Sequence, residues 1–390
     1  MNRLELMAPA GSMESLNAAI KAGADSIYFG IDALNMRTRA AKSFSIHDIP
    51  QISELCRKKG VNCYLTLNTI IYDEDMKHLH EICRVAHQAQ ISAVIASDIA
   101  AIHIARANNL AVHISTQTNI SNFEAVKFYA QFANVMVLAR ELTLPQIQAI
   151  TEKIKAEKIT GPDHEPVRIE LFVHGALCVS IAGKCYMSLA LTNHSANRGD
   201  CLQICRRHYL VTDDQTGDEL VIDNHYVMSP KDLCTIRFVD RLIEAGVSVF
   251  KIEGRGRSAD YVYHVTKAYK TAILSYQNNS LTRELLDGLE SQLLKVYNRG
   301  FWHGGYYLGH RMGEWAGSYG SKASKQKNYV GYVKNYFHKV QIAHIIIEDH
   351  PIHVGDEIII TGPTTGCVET KITTIFNAEK PVDSAVKGSA

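Results

Sequence analysis

Eight short apolar runs, each followed by a helical stretch, recur before residue 279, and this rhythm constrains the fold more than any other feature. The runs are Glu5 to Ala8, Ser26 to Gly30, Asn62 to Asn68, Ala93 to Ala96, Ala111 to Ser115, Val135 to Leu138, Arg168 to Val173 and Val247 to Ile252. Most are continuously apolar rather than alternating, as expected of strands buried on both faces of a parallel sheet. Helices are predicted after Ser12, over Ile46 to Lys59 and Glu74 to Gln90, and from Ile99, Asn122 and Leu144. The seventh unit is interrupted: its helix, expected over Asp232 to Ala245, comes only after a cysteine-bearing insertion. The eighth is followed by a helix from Asp260 to Gln277. The pattern predicts an α/β chain, a (β/α)8 TIM-like barrel with a cysteine-rich insertion after strand 7, in preference to an open doubly wound sheet.

The C-terminal strand ends of such a barrel hold the active site. Here they carry Asn68, Asp98, Gln117, Asn119, Arg140, Glu141, His174, Glu253, Arg255 and Arg257. Any one of them alone reads as a turn, cap or ion-pair residue; together they outline a polar site. Lys251-Ile252-Glu253-Gly254-Arg255-Gly256-Arg257 sets three cations around one carboxylate, and paired guanidiniums suit a carboxylate or phosphate ligand because each fork binds two oxygens.

The chain changes character after residue 279. One more amphipathic helix is expected over 283–300, then a glycine- and aromatic-rich loop and a polar linker carrying Lys322, Lys325 and Lys327. From Tyr329 onward short alternating runs separated by turns such as Val354-Gly355-Asp356 and Gly362-Pro363 predict a small C-terminal β-barrel domain. The expected organisation is a barrel over 1–279 that includes the cysteine loop 176–230, a helix and linker over 280–327, and the β domain over 328–390.

The insertion delivers Cys178, Cys185, Cys201 and Cys205, spaced C-x6-C, then C-x3-C. Zinc sites favour closer pairs, whereas a wide glycine-containing loop suits a larger group such as an iron-sulfur cluster; spacing leaves a cluster, zinc and unligated thiols all open. Cys234 is either a fifth nearby thiol or a buried residue; Cys56, Cys63, Cys83 and Cys367 read as small core hydrophobes. With 41 Lys and Arg against 40 Asp and Glu, nothing draws the chain globally to a polyanion, so any nucleic-acid site must be a local patch. No apolar run is long enough for a membrane span and the first residues lack a signal-peptide core, which predicts a cytoplasmic protein with no membrane partner.

Glu170-x-Phe172-x-x-Gly175-Ala176-Leu177-Cys178, followed by Gly183-x-Cys185-x-x-Ser188, resembles the signature of the collagenase-like peptidase family U32. The resemblance extends to Pro9-Ala10-Gly11, Ser115-x-Gln117-x-Asn119, Arg140-Glu141-Leu142, Ser229-x-Lys231-Asp232-Leu233 and Lys251-Ile252-Glu253-Gly254-Arg255, so it covers nearly the whole chain. Within the family the chain is similar to the branch that makes 5-hydroxyuridine at the tRNA wobble position without molecular oxygen. That resemblance implies a 4Fe-4S cluster on Cys178, Cys185, Cys201 and Cys205, prephenate as co-substrate and hydroxyl donor, and tRNA as partner. The alternatives are a ribosomal-RNA cytidine hydroxylase of the same family and a peptidase acting on protein. Glu253, Arg255, His174 and Arg140 are the expected catalytic residues. Gln117, Asn119 and Arg257 are expected to bind substrate, and Arg206, Arg207, Lys322, Lys325 and Lys327 to meet tRNA. The peptidase alternative finds little support in the residues: no G-x-S-x-G surrounds Ser180 or Ser188, and neither His80-Glu81 nor His164-Glu165 completes H-E-x-x-H.

Overall fold

The structure, a computed structural model, describes residues 4–31, 34–37, 44–210, 212–217, 228–309, 314–378 and 380–388. Part of the expected cysteine loop, 211 and 218–227, lies outside the described residues. Strands β1 (Glu5–Ala10), β2 (Ser26–Phe29), β3 (Asn62–Leu67), β4 (Ala93–Ala96), β5 (Val112–Ile114), β6 (Val135–Val137) and β7 (Arg168–Gly175) pair in sequence order, each parallel to the one before. After β8 (Asp232–Cys234), strand β9 (Val249–Ile252) pairs in parallel with both β7 and β1 and closes the ring. The eight parallel strands predicted from the apolar runs thus form a closed barrel. Their near-complete burial explains the runs, since one face packs inward and the other under helices.

The outer helices are α1 (Met13–Lys21), α2 (Ile49–Lys58), α3 (Met76–Gln88), α4 (Ile99–Ala107), α5 (Phe123–Tyr129) and α6 (Leu144–Ala156). Ser12 caps α1 in a reciprocal pair with Ser15, while Asp98 and Asn122 cap α4 and α5. Asp98 therefore serves the turn it occupies. Its two oxygens accept the backbone N–H groups of Ala100 and Ile71 at 2.8 and 3.1 Å.

Two expected elements differ. The segment predicted as one helix from Asp232 begins as β8, turns at 236–238 and is helical only in α8 (Val239–Glu244), after the short α7 (Met187–Thr192) of the insertion. β8 runs antiparallel to the end of β7 and parallel to β10 (Phe301–His303), which follows α9 (Ala259–Gln277) and α10 (Arg283–Leu293). The buried pair Arg299–Asp232, 3.1 Å, fastens this addition. For the same reason the helix expected over 283–300 stops at Leu293: the chain turns to supply β10.

The C-terminal strands are β11 (Gly331–Phe337), β12 (Ile342–Ile347), β13 (Ile352–His353), β14 (Glu357–Gly362), β15 (Gly366–Lys371), β16 (Ile375–Asn377), β17 (Lys380–Val382) and β18 (Ser384–Ala385). They form antiparallel ladders β11–β12, β13–β18, β14–β15 and β16–β17 around a separate core of Ile347, Ile352, Ile372, Ile375 and Ala385. The β14–β15 turn docks on the barrel's flank. Asn17 Nδ2 donates to Pro363 O at 2.6 Å, and Cys367 is buried with Ala18 and Ala259. Gly366 is required twice there: its φ is +68°, and an added Cβ would lie 2.6 Å from Ala18 N.

Candidate active site at the barrel mouth

A cavity of about 250 Å³ opens at the C-terminal ends of the barrel strands. Tyr28 of β2, Thr66 and Asn68 of and just after β3, Gln117 after β5, Arg140 after β6, Phe172 of β7, and Lys251, Glu253, Arg255 and Arg257 of and after β9 line it. The insertion completes the wall with Cys178, Cys185, Cys201, Cys205 and Arg206. The strand ends and the cysteines, up to 177 residues apart along the chain from Tyr28 to Cys205, therefore share one chamber.

All four thiols are half-buried and unbonded to one another by disulfides. Burial pushes the Cys205 thiol up to about 11, with Arg206 opposing and the other three cysteines adding to the rise, so the four sulfurs sense each other. Yet among the described residues no three His, Cys, Asp or Glu side chains converge tightly enough to hold a single metal ion. Four soft donors around one chamber are the donor type that thiolate-bound metal groups use.

The chamber is also cationic. Glu253 pairs with Arg37 at 3.0 Å and lies 3.4 Å from the Tyr28 hydroxyl, which itself donates to Ile252 O. Burial works to raise the Glu253 carboxyl, but Arg37, Arg140 and Arg255 together hold it below the usual carboxylate range. Arg255 is buried and donates through Nη1 to Asn35 Oδ1 and Thr66 Oγ1 at 2.9 and 2.8 Å. Gly30 makes room for it, since an added Cβ would sit 2.5 Å from that Nη1. Arg140 lies flat on the Phe172 ring, 4.0 Å from its centroid, and Arg257 on Tyr297 at 3.6 Å. The Nε atoms of both Arg140 and Arg255 are buried without a partner.

Several expected site residues take other places. Lys251, grouped with Glu253 in the sequence motif, pairs instead with the fully buried Glu170 at 2.6 Å. His174 does not line the cavity. It is buried between Tyr261, Tyr269 and Phe301, and burial pushes its imidazole down to about 3, so it is a neutral packing residue rather than a catalytic acid or base. Asn119 also stays out of the lining and holds the left-handed end of the turn after β5, φ +55°. Gln117 does reach the chamber, where Asn68 and Ser115 donate to its Oε1. Arg206 braces the cysteine loop through Ser229 Oγ, Pro230 O and Leu177 O, while Arg207 is exposed. Of the linker lysines all three are exposed, but Lys325 pairs with Glu357, and Lys327 with Asp260 at 2.8 Å. Cys234 is buried beside Tyr269, outside the cavity lining. The residues that sequence reasoning missed are Arg37 and Tyr28. Arg37 stands in the β2–α2 connection with no surrounding motif, and Tyr28 lies inside an apolar run where only the barrel's inward side identifies it.

A profile of peptidase family U32 matches residues 11–317. Over 388 residues the chain is 54% identical to a protein of Porphyromonas gingivalis named collagenase, an alignment covering 100% of this chain and 94% of that one. It is 31% identical over 387 residues to tRNA hydroxylation protein P1 of Bacillus subtilis, covering 96% and 87% of the two chains. It is 36% identical over 270 residues to a 23S rRNA 5-hydroxycytidine synthase of Escherichia coli, covering 69% of this chain but 39% of the relative. The relatives thus include a named peptidase and named RNA hydroxylases. Among the described residues no helix is long and apolar enough to cross a membrane. With its barrel, its cysteine insertion and residues 11–317 all accounted for by one profile, the chain belongs to peptidase family U32.

Proposed function

We propose that this protein is an iron-sulfur enzyme that hydroxylates RNA, converting the tRNA wobble uridine to 5-hydroxyuridine with prephenate as the hydroxyl donor. One observation carries the proposal: four cysteines and an excess of guanidinium groups share a single chamber whose described lining contains no histidine. A hydrolase of the serine or cysteine type most often uses a histidine beside its nucleophile, and the described lining has none. Cys178, Cys185, Cys201 and Cys205 would hold a 4Fe-4S cluster, which when bound supplies electron transfer. Prephenate carries two carboxylates and a non-aromatic ring. Arg140 and Arg255, each with a buried unpartnered Nε, are the cations that take the carboxylates, and Tyr28 and Phe172 give the ring its apolar walls. Glu253 holds Arg37 in place, and the amides of Asn68 and Gln117 orient the remaining oxygens. The 54% identity to a protein named collagenase supports peptide hydrolysis as the second reading.

Nucleoside mass spectrometry of tRNA from cells lacking the protein tests the first reading directly: 5-hydroxyuridine should disappear and return with the wild-type gene. Anaerobically prepared Cys201→Ala should lose iron, visible absorbance and the ability to restore the nucleoside, whereas Cys367→Ala, in a pocket remote from the chamber, should keep all three. Unchanged nucleoside content, combined with cleavage of gelatin by the pure protein, would establish the peptidase instead.

A further inference from the structure

The hairpin formed by β11 and β12 is exposed along most of its first strand. Residues 332–340 are exposed without a break, including Tyr332 at 51%, Phe337 at 48% and Val340 at 63%. A strand that packs on a core normally buries every second side chain, so continuous exposure of aromatic residues calls for an explanation.

The register divides the hairpin into two sides, of which the core-ward one also leaves Val333 and Tyr336 partly exposed. Ile347 is buried in the small core, and Ile345 packs against it. By strand alternation Ile342, His344 and Ile346 point the other way, and their cross-strand partners are Phe337, Asn335 and Tyr332. A bulge between Val333 and Asn335 sets Lys334 out of the ladder. The outward face therefore carries two aromatic rings and two isoleucines, with Lys334 and Lys339 beside it. From 330 to 347 there is no Asp or Glu, and neither lysine has an ion-pair partner among the described residues. The linker lysines Lys325 and Lys327, in contrast, are matched by Glu357 and Asp260.

We propose that this outward face is a stacking platform for unpaired bases of the RNA substrate, separate from the barrel chamber. The inference rests on the RNA-modifying reading. Its chemistry favours single-stranded RNA over duplex, because duplex RNA offers phosphates and 2′-hydroxyls to cations, whereas exposed rings gain by stacking on bases that have left a helix. Two lysines free of carboxylates supply the phosphate contacts that a net charge of +1 does not supply globally.

The test is fluorescence anisotropy on the full chain, with a labelled RNA stem-loop bearing unpaired uridines and the fully paired duplex of the same stem. Wild type should prefer the stem-loop. Tyr332→Ala/Phe337→Ala should weaken stem-loop binding on the order of 10- to 1000-fold, from roughly one decade or so per lost stack, with little change in salt dependence. Lys334→Ala/Lys339→Ala should weaken it less but reduce the slope of log affinity against log salt by roughly 1.4, about 0.7 per phosphate contact. Iron content and melting temperature should match wild type in both, which separates lost binding from lost folding. If wild type binds the stem-loop and the ring variant binds it equally, the platform is refuted and the RNA reading survives. If the ring variant instead changes the oligomeric mass in sedimentation while RNA affinity holds, the face is a contact between copies and the proposal falls. Equal wild-type affinity for duplex and stem-loop would refute stacking, and no affinity for either would remove the RNA reading itself.

Discussion

The two ends of the barrel interior use the same kinds of charged residue to opposite effect. Toward the N-terminal end of the strands each charge meets its complement. Arg168 pairs with Glu5 at 2.8 Å, the Tyr64 hydroxyl donates to the same carboxylate at 2.7 Å, and Lys251, which borders both this layer and the chamber, pairs with Glu170 at 2.6 Å. At the mouth three guanidiniums, Arg37, Arg140 and Arg255, share the single carboxylate of Glu253, and among the described residues only Arg37 is in direct contact with it, while Arg140 and Arg257 rest on aromatic rings and Arg255 on neutral oxygens. Buried cations that outnumber their anions are costly, and a ligand that brings negative charge would offset that cost. The lower layer is therefore structural, and the upper layer is the part that the proposed function assigns to ligand binding.

The largest effect is expected from breaking the lower layer. Lys251→Met leaves Glu170, which is fully buried and already lacks a partner for Oε2, without its counter-charge. Loss of one partner from a buried pair costs about 3–5 kcal/mol, whereas replacing both with apolar residues is nearly neutral. Urea unfolding should show the single variant strongly destabilised and Lys251→Met/Glu170→Leu largely restored. A single variant as stable as wild type would mean that the pair does not neutralise itself and that the two layers do not differ.

At the mouth the same kind of substitution should act on ligand instead. Arg255→Ala removes hydrogen bonds to Asn35 and Thr66, and because its buried Nε has no partner in the fold, the proposed function expects the main loss to be a charged contact to substrate. Such a contact is worth about 1.5–3 kcal/mol, so on the proposed function turnover should fall roughly 10- to 150-fold with RNA affinity unchanged. Arg255→Lys should recover little, because an ammonium lacks the planar fork. If Arg255→Ala lowers the melting temperature while turnover per folded molecule is preserved, this arginine belongs with the structural layer.

The barrel was legible because closing eight parallel strands under helices forces continuous apolar runs, and runs are visible in a sequence. The three-residue β8 was not, since three residues are too few to display a period, and its strand character comes from pairing with β7 and β10. The cysteine set was legible by spacing, but its chemistry was not, because only the fold shows four thiols facing one chamber. His174 was misjudged for a specific reason. Alternation from Glu170 and Phe172 points position 174 inward, but the register against β9 shifts between Phe172 and His174, and that bulge turns the imidazole into the packing layer. Lys251 and Glu253 share a side of β9, yet Lys251 lies deeper, so it meets Glu170 rather than its neighbour in the motif.

The smallest effect separates the layers by pH. His113 belongs to the lower layer, its ring 4.5 Å from that of Tyr64, among Glu5, Arg168 and Lys251. Burial pushes its imidazole from 6.5 down to about 3, so the folded protein keeps it neutral while the unfolded chain protonates it. A depressed value of this kind contributes stability that is present above about pH 6.5 and is lost as pH falls from there toward 3. The loss approaches about 1.4 kcal/mol per pH unit once the pH is well below 6.5. His174, pushed down to about 3 as well, adds a second such increment. His113→Phe keeps an aromatic ring against Tyr64 and forfeits no partner at Nδ1, which is unsatisfied in the fold. Urea unfolding between pH 7 and pH 5 should therefore find variant and wild type running parallel at the upper end and the variant's acid slope shallower by that single increment at the lower end. Over the same window Glu253 at the mouth stays ionised, because Arg37, Arg140 and Arg255 outweigh its burial and hold its carboxyl below the usual range, so ligand affinity per folded molecule should stay constant. Parallel slopes for the two proteins would show that His113 already carries its proton in the folded state, and the lower layer would then be as cationic as the mouth.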